Sequence, residues 1–190
     1  MIYYEVMRTR DVDILIVPGW TNAGRDHWQS RWERNLPTAR RVEQADWDTP
    51  RSDDWVARIV AAVDACTRPA VFVAHSCGVA AVCLAAPLIT PGRVAGAFLV
   101  APGDFDNSDH WLGRDGGFAP MPLQRLPFPA RVIASSNDPH CTVERAQTFA
   151  AAWGADISVT ANGGHLNTAS GHGPWPEELL TFGLFLKSLG

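Results

Sequence analysis

Apolar residues follow two rhythms along the chain, and the switches between them predict its elements. Asp13-Ile14-Leu15-Ile16-Val17 is a β-branched run stopped by Pro18-Gly19, the pattern of a buried strand. Trp28, Trp32 and Leu36 then recur every four residues and so share one helical face, and Asp26 with Gln29 reads as the capping box that opens this helix. Arg41-Val42-Glu43 predicts a short strand. Asp53 to Cys66 predicts a second helix, with Trp55, Ile59 and Val63 on one stripe and acids in its first turn. Ala70 to Ala74 is again continuous and apolar, and it breaks at His75-Ser76-Cys77-Gly78 into an alanine-rich helix ending near Ile89.

Val94 to Val100 and Arg131 to Ser135 are further strands, the second followed by a helix marked by Val143, Ala146, Ala150 and Trp153 and closed by Gly154. Ile157-Ser158-Val159 predicts a last strand. Glu177 to Lys187 predicts a last helix, started by Pro176. The stretch from Asp104 to Pro129 is rich in proline and glycine with little periodicity, and reads as a long loop, either functional or disordered. Strands alternating with helices predict a three-layer α/β fold around a mostly parallel sheet, in one domain spanning residues 1–190.

Composition narrows the function. With 46% hydrophobic and 19% charged residues, the chain has enough apolar material for a core. Sixteen basic residues are scattered among twenty acidic ones, for a net charge of −4, which argues against nucleic acid or an anionic membrane surface as partner. Met1-Ile2-Tyr3-Tyr4-Glu5 lacks the layout of a signal peptide, and no apolar run approaches the roughly 18–20 residues needed to span a bilayer. Cys66, Cys77, Cys83 and Cys141 form no Cys-x-x-Cys pair and no zinc-ligand spacing, so reduced structural thiols and no metal are expected. A soluble cytoplasmic protein is the reading.

The candidate chemistry lies at the ends of the strands. A nucleophilic serine needs a presented hydroxyl, a base, and donors for the oxyanion. Ala74-His75-Ser76-Cys77-Gly78 follows a strand and opens a helix, the context of a nucleophile elbow, with small residues two before and two after Ser76. Asp138 in Ser135-Ser136-Asn137-Asp138-Pro139 and His165 in Gly163-Gly164-His165-Leu166-Asn167 each follow a strand as well. Active sites of open α/β sheets lie at that carboxyl edge. Asp104 competes for the role of acid, and His172 for that of base. Ser76 is otherwise a helix cap, and Asp138 a turn former. The N–H of Cys77 is the expected first oxyanion donor, and the loop after the first strand supplies the second, from Trp20 or Thr21. Trp20, Trp111 and Trp175 are candidate walls of an aromatic substrate cleft, or else covers of the core.

These segments, together with Val17-Pro18-Gly19 and Asp26-His27-Trp28-Gln29-Ser30-Arg31-Trp32-Glu33, resemble the compact serine-hydrolase family of retinoblastoma-binding protein 9 and its bacterial relatives. The resemblance covers nearly the whole chain. It implies an α/β-hydrolase core without a large cap domain, a Ser76–Asp138–His165 triad, no cofactor, and a small ester or amide as substrate. A protein-binding module on the same fold is the alternative. The Leu-x-Cys-x-Glu motif that would carry it is absent, since Cys141-Thr142-Val143-Glu144 has neither the leucine nor the spacing.

Overall fold

The computed structural model describes residues 6–107 and 115–190. Six strands, β1 (Asp13–Val17), β2 (Ala39–Arg41), β3 (Ala70–His75), β4 (Val94–Val100), β5 (Ala130–Ser135) and β6 (Asp156–Thr160), form one sheet in the order β2-β1-β3-β4-β5-β6. Every neighbouring pair is parallel. Among the described residues five α-helices lie between and after them: α1 (Trp28–Asn35), α2 (Ser52–Asp64), α3 (Cys77–Ala85), α4 (Val143–Trp153) and α5 (Pro176–Lys187).

Parallel strands covered on both faces must be apolar at successive positions, which is why β1, β3 and β4 read as continuous runs. Their odd and even residues divide between two cores. Leu15, Val17, Phe72 and Leu99 pack with Trp55, Ile59, Phe149 and Trp153 under α2, α3 and α4. Ile14, Ile16, Val71, Val73 and Phe98 pack with Trp28, Trp32, Phe182 and Phe185 of α1 and α5. The second core contains an aromatic cluster, with Trp32 and Phe98 both 5.5 Å from Phe182 between ring centroids.

The structure departs from the sequence pattern in two local places. β2 covers Ala39–Arg41 rather than residues 41–43, although the Val42 N–H still donates to Ile16 O at 2.9 Å. At the sheet edge a strand needs no apolar run, so the pattern marks its end poorly. At α1 the cap is His27, not Asp26: His27 Nδ1 accepts from the Gln29 N–H at 3.2 Å, while Asp26 pairs with Arg31 at 2.9 Å. The described residues between Asp104 and Pro129 contain no strand or helix, yet they are well packed: Phe105, Phe118, Met121, Leu126 and Phe128 are buried in the α2–α4 core. All four cysteines are buried and unpaired. Among the described residues no helix is long and apolar enough to cross a membrane.

Burial holds two imidazoles neutral. His27 titrates at about 4, chiefly because burial penalises its cation and secondarily because Arg41 and His165 are near. His75 lies well below the ordinary histidine range, again first through burial. A base whose folded pKa is depressed binds fewer protons folded than unfolded, so its stabilising effect is complete above about pH 6.5 and is lost as pH falls toward 4. Urea unfolding should therefore show lower stability at pH 5 than at pH 7, with His27 alone contributing about 3 kcal/mol of the loss by pH 4. His27→Asn keeps an oxygen for the cap and should show a shallower fall. An equally steep fall in that variant would remove His27 as a cause.

Candidate active site

Strand β3 ends at His75 and α3 begins at Cys77, leaving Ser76 alone in the turn with φ 54° and ψ −122°. This strained backbone points the side chain out of the strand-to-helix path, as a nucleophile elbow requires. Two glycines make the turn possible by close approach. A Cβ on Gly78 would lie 2.4 Å from Val17 O and 2.5 Å from Pro18 O, and one on Gly19 would lie 2.7 Å from Ser76 Cβ. The loop after β1 is thereby pressed against the serine.

Asp138 and His165 arrive from the ends of β5 and β6, beyond β4 in the sheet. After β5, Asn137 Oδ1 accepts from the Gly164 N–H at 2.7 Å, and Ser136 Oγ accepts from the Asn162 N–H at 2.8 Å. These bonds stitch the loop bearing Asp138 to the loop bearing His165. His165 Nδ1 lies 2.9 Å from both carboxylate oxygens of Asp138, and its Nε2 lies 2.8 Å from Ser76 Oγ. The Asp138 side chain is only 2% exposed, and the His140 N–H donates to its Oδ1 at 2.9 Å. With the carboxylate fixing a proton on Nδ1, the Nε2 lone pair faces the serine hydroxyl. The arrangement can therefore draw the proton from Ser76 as its oxygen attacks.

The two competitors lie elsewhere. Asp104 accepts two bonds from Arg145, at 2.7 and 2.9 Å, and Arg145 also holds Asp106 at 2.7 Å. Asp104 therefore ties its loop to α4. His172 packs edge-on to Trp175 at 4.8 Å, with Nδ1 3.4 Å from Ser170 Oγ.

The substrate-contact expectations fare unevenly. The N–H of Cys77 belongs to the first turn of α3, where helical N–H groups have no partner within the helix. The Thr21 N–H, by contrast, donates to Trp47 O at 2.9 Å and is committed to the loop. Trp20 is half-buried, and its indole donates to Asp48 O at 2.9 Å. Trp175 is 8% exposed and stands edge-on to Trp28 at 5.6 Å. It caps α5 at the junction with α1 and so packs into the aromatic core, presenting little surface to a cleft. Trp111 lies outside the described residues.

The sequence pattern missed the polar residues that hold the loops in place. Gln29 is fully buried, and its Nε2 donates to Val17 O at 3.2 Å and Val73 O at 3.0 Å, linking the ends of β1 and β3. The sign was present, because Gln29 lies about 100° around the helix from Trp28, beside the buried stripe. Arg41 anchors the far side of the β1 loop through Asn22 Oδ1 at 2.6 Å and Ala23 O at 3.0 Å.

Comparison with known proteins identifies the family and the fold. The family profile described as serine hydrolase matches residues 14–183. A putative YdeN-like hydrolase from Pectobacterium atrosepticum is 30% identical, with 95% of this chain and 94% of that one covered and a TM-score of 0.84. The ydeN gene product of B. subtilis superposes at a TM-score of 0.77 with 19% identity over 91% of this chain and 98% of that one. Esterase 2 of Thermogutta terrifontis does so at 0.70 with 14% identity over 96% and 86%, a likeness of fold alone. No curated protein matches in sequence. A profile spanning nearly the whole chain and a relative alike end to end place this protein in the serine hydrolase family, on an α/β-hydrolase fold.

Proposed function

We propose that the protein hydrolyses small esters through an acyl-enzyme on Ser76. The observation that carries the reading is the continuous relay from Asp138 through His165 to Ser76, with contacts of 2.9 and 2.8 Å, on a serine held in a strained turn. Ser76 Oγ attacks the carbonyl carbon as its proton passes to His165 Nε2, and Asp138 stabilises the imidazolium that forms. The N–H of Cys77 and that of Trp20, next to the glycine pressed on Ser76, receive the oxyanion. His165 returns the proton to the leaving alcohol, and water repeats the sequence to free the acid. An amide passes through the same steps with an amine leaving. Four buried, unpaired thiols suit a reducing compartment, so the cytoplasm is the proposed location.

Ser76→Ala should lower the hydrolysis of p-nitrophenyl acetate by at least about 10³-fold, and a fluorophosphonate probe should label the parent protein but not the variant. Retention of more than about a tenth of the activity would show that Ser76 is not the nucleophile.

The two acids should also separate. Asp138→Asn should lower kcat by about 10³–10⁴-fold, because an amide no longer enforces the required histidine tautomer. Asp104→Asn loosens the Arg145 pair and should cost less than about tenfold in kcat. The opposite ranking in steady-state kinetics would transfer the role of acid to Asp104.

A further inference from the structure

The loop that carries His165 is gripped by two side chains from outside the triad. His75, the last residue of β3, places Nε2 2.9 Å from the backbone carbonyl oxygen of His165. Trp28, in the first turn of α1, donates its indole N–H to the next carbonyl, that of Leu166, at 2.9 Å. Both side chains are buried, and their rings meet edge-on at 6.1 Å.

The protonation of His75 follows from its surroundings. Burial keeps the ring neutral, so it carries one N–H, and a carbonyl oxygen can only accept. The proton therefore sits on Nε2, pointing at His165 O. The His75 ring lies 4.8 Å from that of His165, so its neutrality spares the catalytic ring a cationic neighbour when His165 becomes an imidazolium.

The bonds close a small ring. His75 is joined to Ser76 by a peptide bond, Ser76 Oγ meets His165 Nε2, and the His165 carbonyl returns to His75. Any drift of the base loop away from the elbow must stretch the His75 bond. The loop needs such restraint, since Gly164 and Leu166 both have left-handed backbones, at φ 57° and 49°, and Leu166 has no glycine's freedom there.

We propose that His75 and Trp28 are positioning residues, which set the approach of His165 Nε2 to Ser76 Oγ by holding two successive carbonyls of the base loop. The proposal rests on the reading of Ser76 and His165 as nucleophile and base. Loss of either donor should act on the chemical step rather than on substrate affinity, because neither side chain is needed to bind the ester.

The test uses three variants. His75→Leu removes one donor, His75→Gln restores an N–H near the position of the imidazole Nε2, and Trp28→Phe keeps a buried ring without its N–H. With p-nitrophenyl acetate, His75→Leu and Trp28→Phe should lower kcat about 10- to 100-fold with KM within about twofold, and fluorophosphonate labelling should slow in proportion. His75→Gln should recover to within about threefold of the parent. If His75→Leu fails to fold, His75→Gln and Trp28→Phe still decide. Full kcat in Trp28→Phe would overturn the role of Trp28. Full kcat in His75→Leu, or His75→Gln slowed more than about tenfold, would overturn that of His75. Loss of thermal stability with kcat intact well below the melting temperature would make both roles merely structural. Such outcomes beside an inactive Ser76→Ala reject the positioning alone, whereas an active Ser76→Ala rejects the triad itself.

Discussion

The close seat of α3 on the end of β1 governs the rest of the site. Ser76 adopts φ 54° and ψ −122°, a conformation that costs on the order of 1–3 kcal/mol unless its surroundings enforce it. Here they do. Gly78 brings the helix backbone so near Val17 O and Pro18 O that no side chain would fit, and β3 enters the turn fully buried. The same approach presses Gly19 onto Ser76 and thereby brings the loop after β1 into the site. One contact thus shapes both the turn that presents Ser76 and the loop beside it.

Around that contact the protein uses burial to control charge. His27 and His75 are kept neutral, while Asp138 lies buried against the ring of His165. Burial also pushes the thiols of Cys77 and Cys83 upward, so the cysteine adjoining Ser76 is a packing group rather than a rival nucleophile. Arg145 is spent on Asp104 and Asp106, where it fastens the stretch after β4 to α4.

What the sequence reveals depends on how local each signal is. Strands β1, β3 and β4 are legible because burial on both faces demands consecutive apolar residues, and Ser76 and Asp138 are legible because each follows an apolar run, whereas His165 follows the half-exposed edge strand β6 and is marked by Gly163 and Gly164 instead. The strand order leaves no mark on any single segment. The cap of α1 is misread because Asp26 and His27 both offer an acceptor, and only the Arg31 pair decides between them. Trp175 looks like a loop aromatic until α1 is set against α5. The bonds from His75 and Trp28 to the base loop span 90 and 138 residues, so nothing in their neighbourhood announces them.

The strand order has a kinetic consequence. From β3 onward each new strand adds to the same growing edge, so the sheet extends in the direction of the sequence. The elbow is complete once β1, β3 and α3 have packed, but the loop that carries the base is fixed only when β6 has joined β5. Contacts across such distances are slow to form, because the chain must be closed into large loops before they reward it. On the proposed mechanism, a partly folded molecule would hold an ordinary alcohol at Ser76, because the contact with His165 Nε2 forms only with the last strand in place.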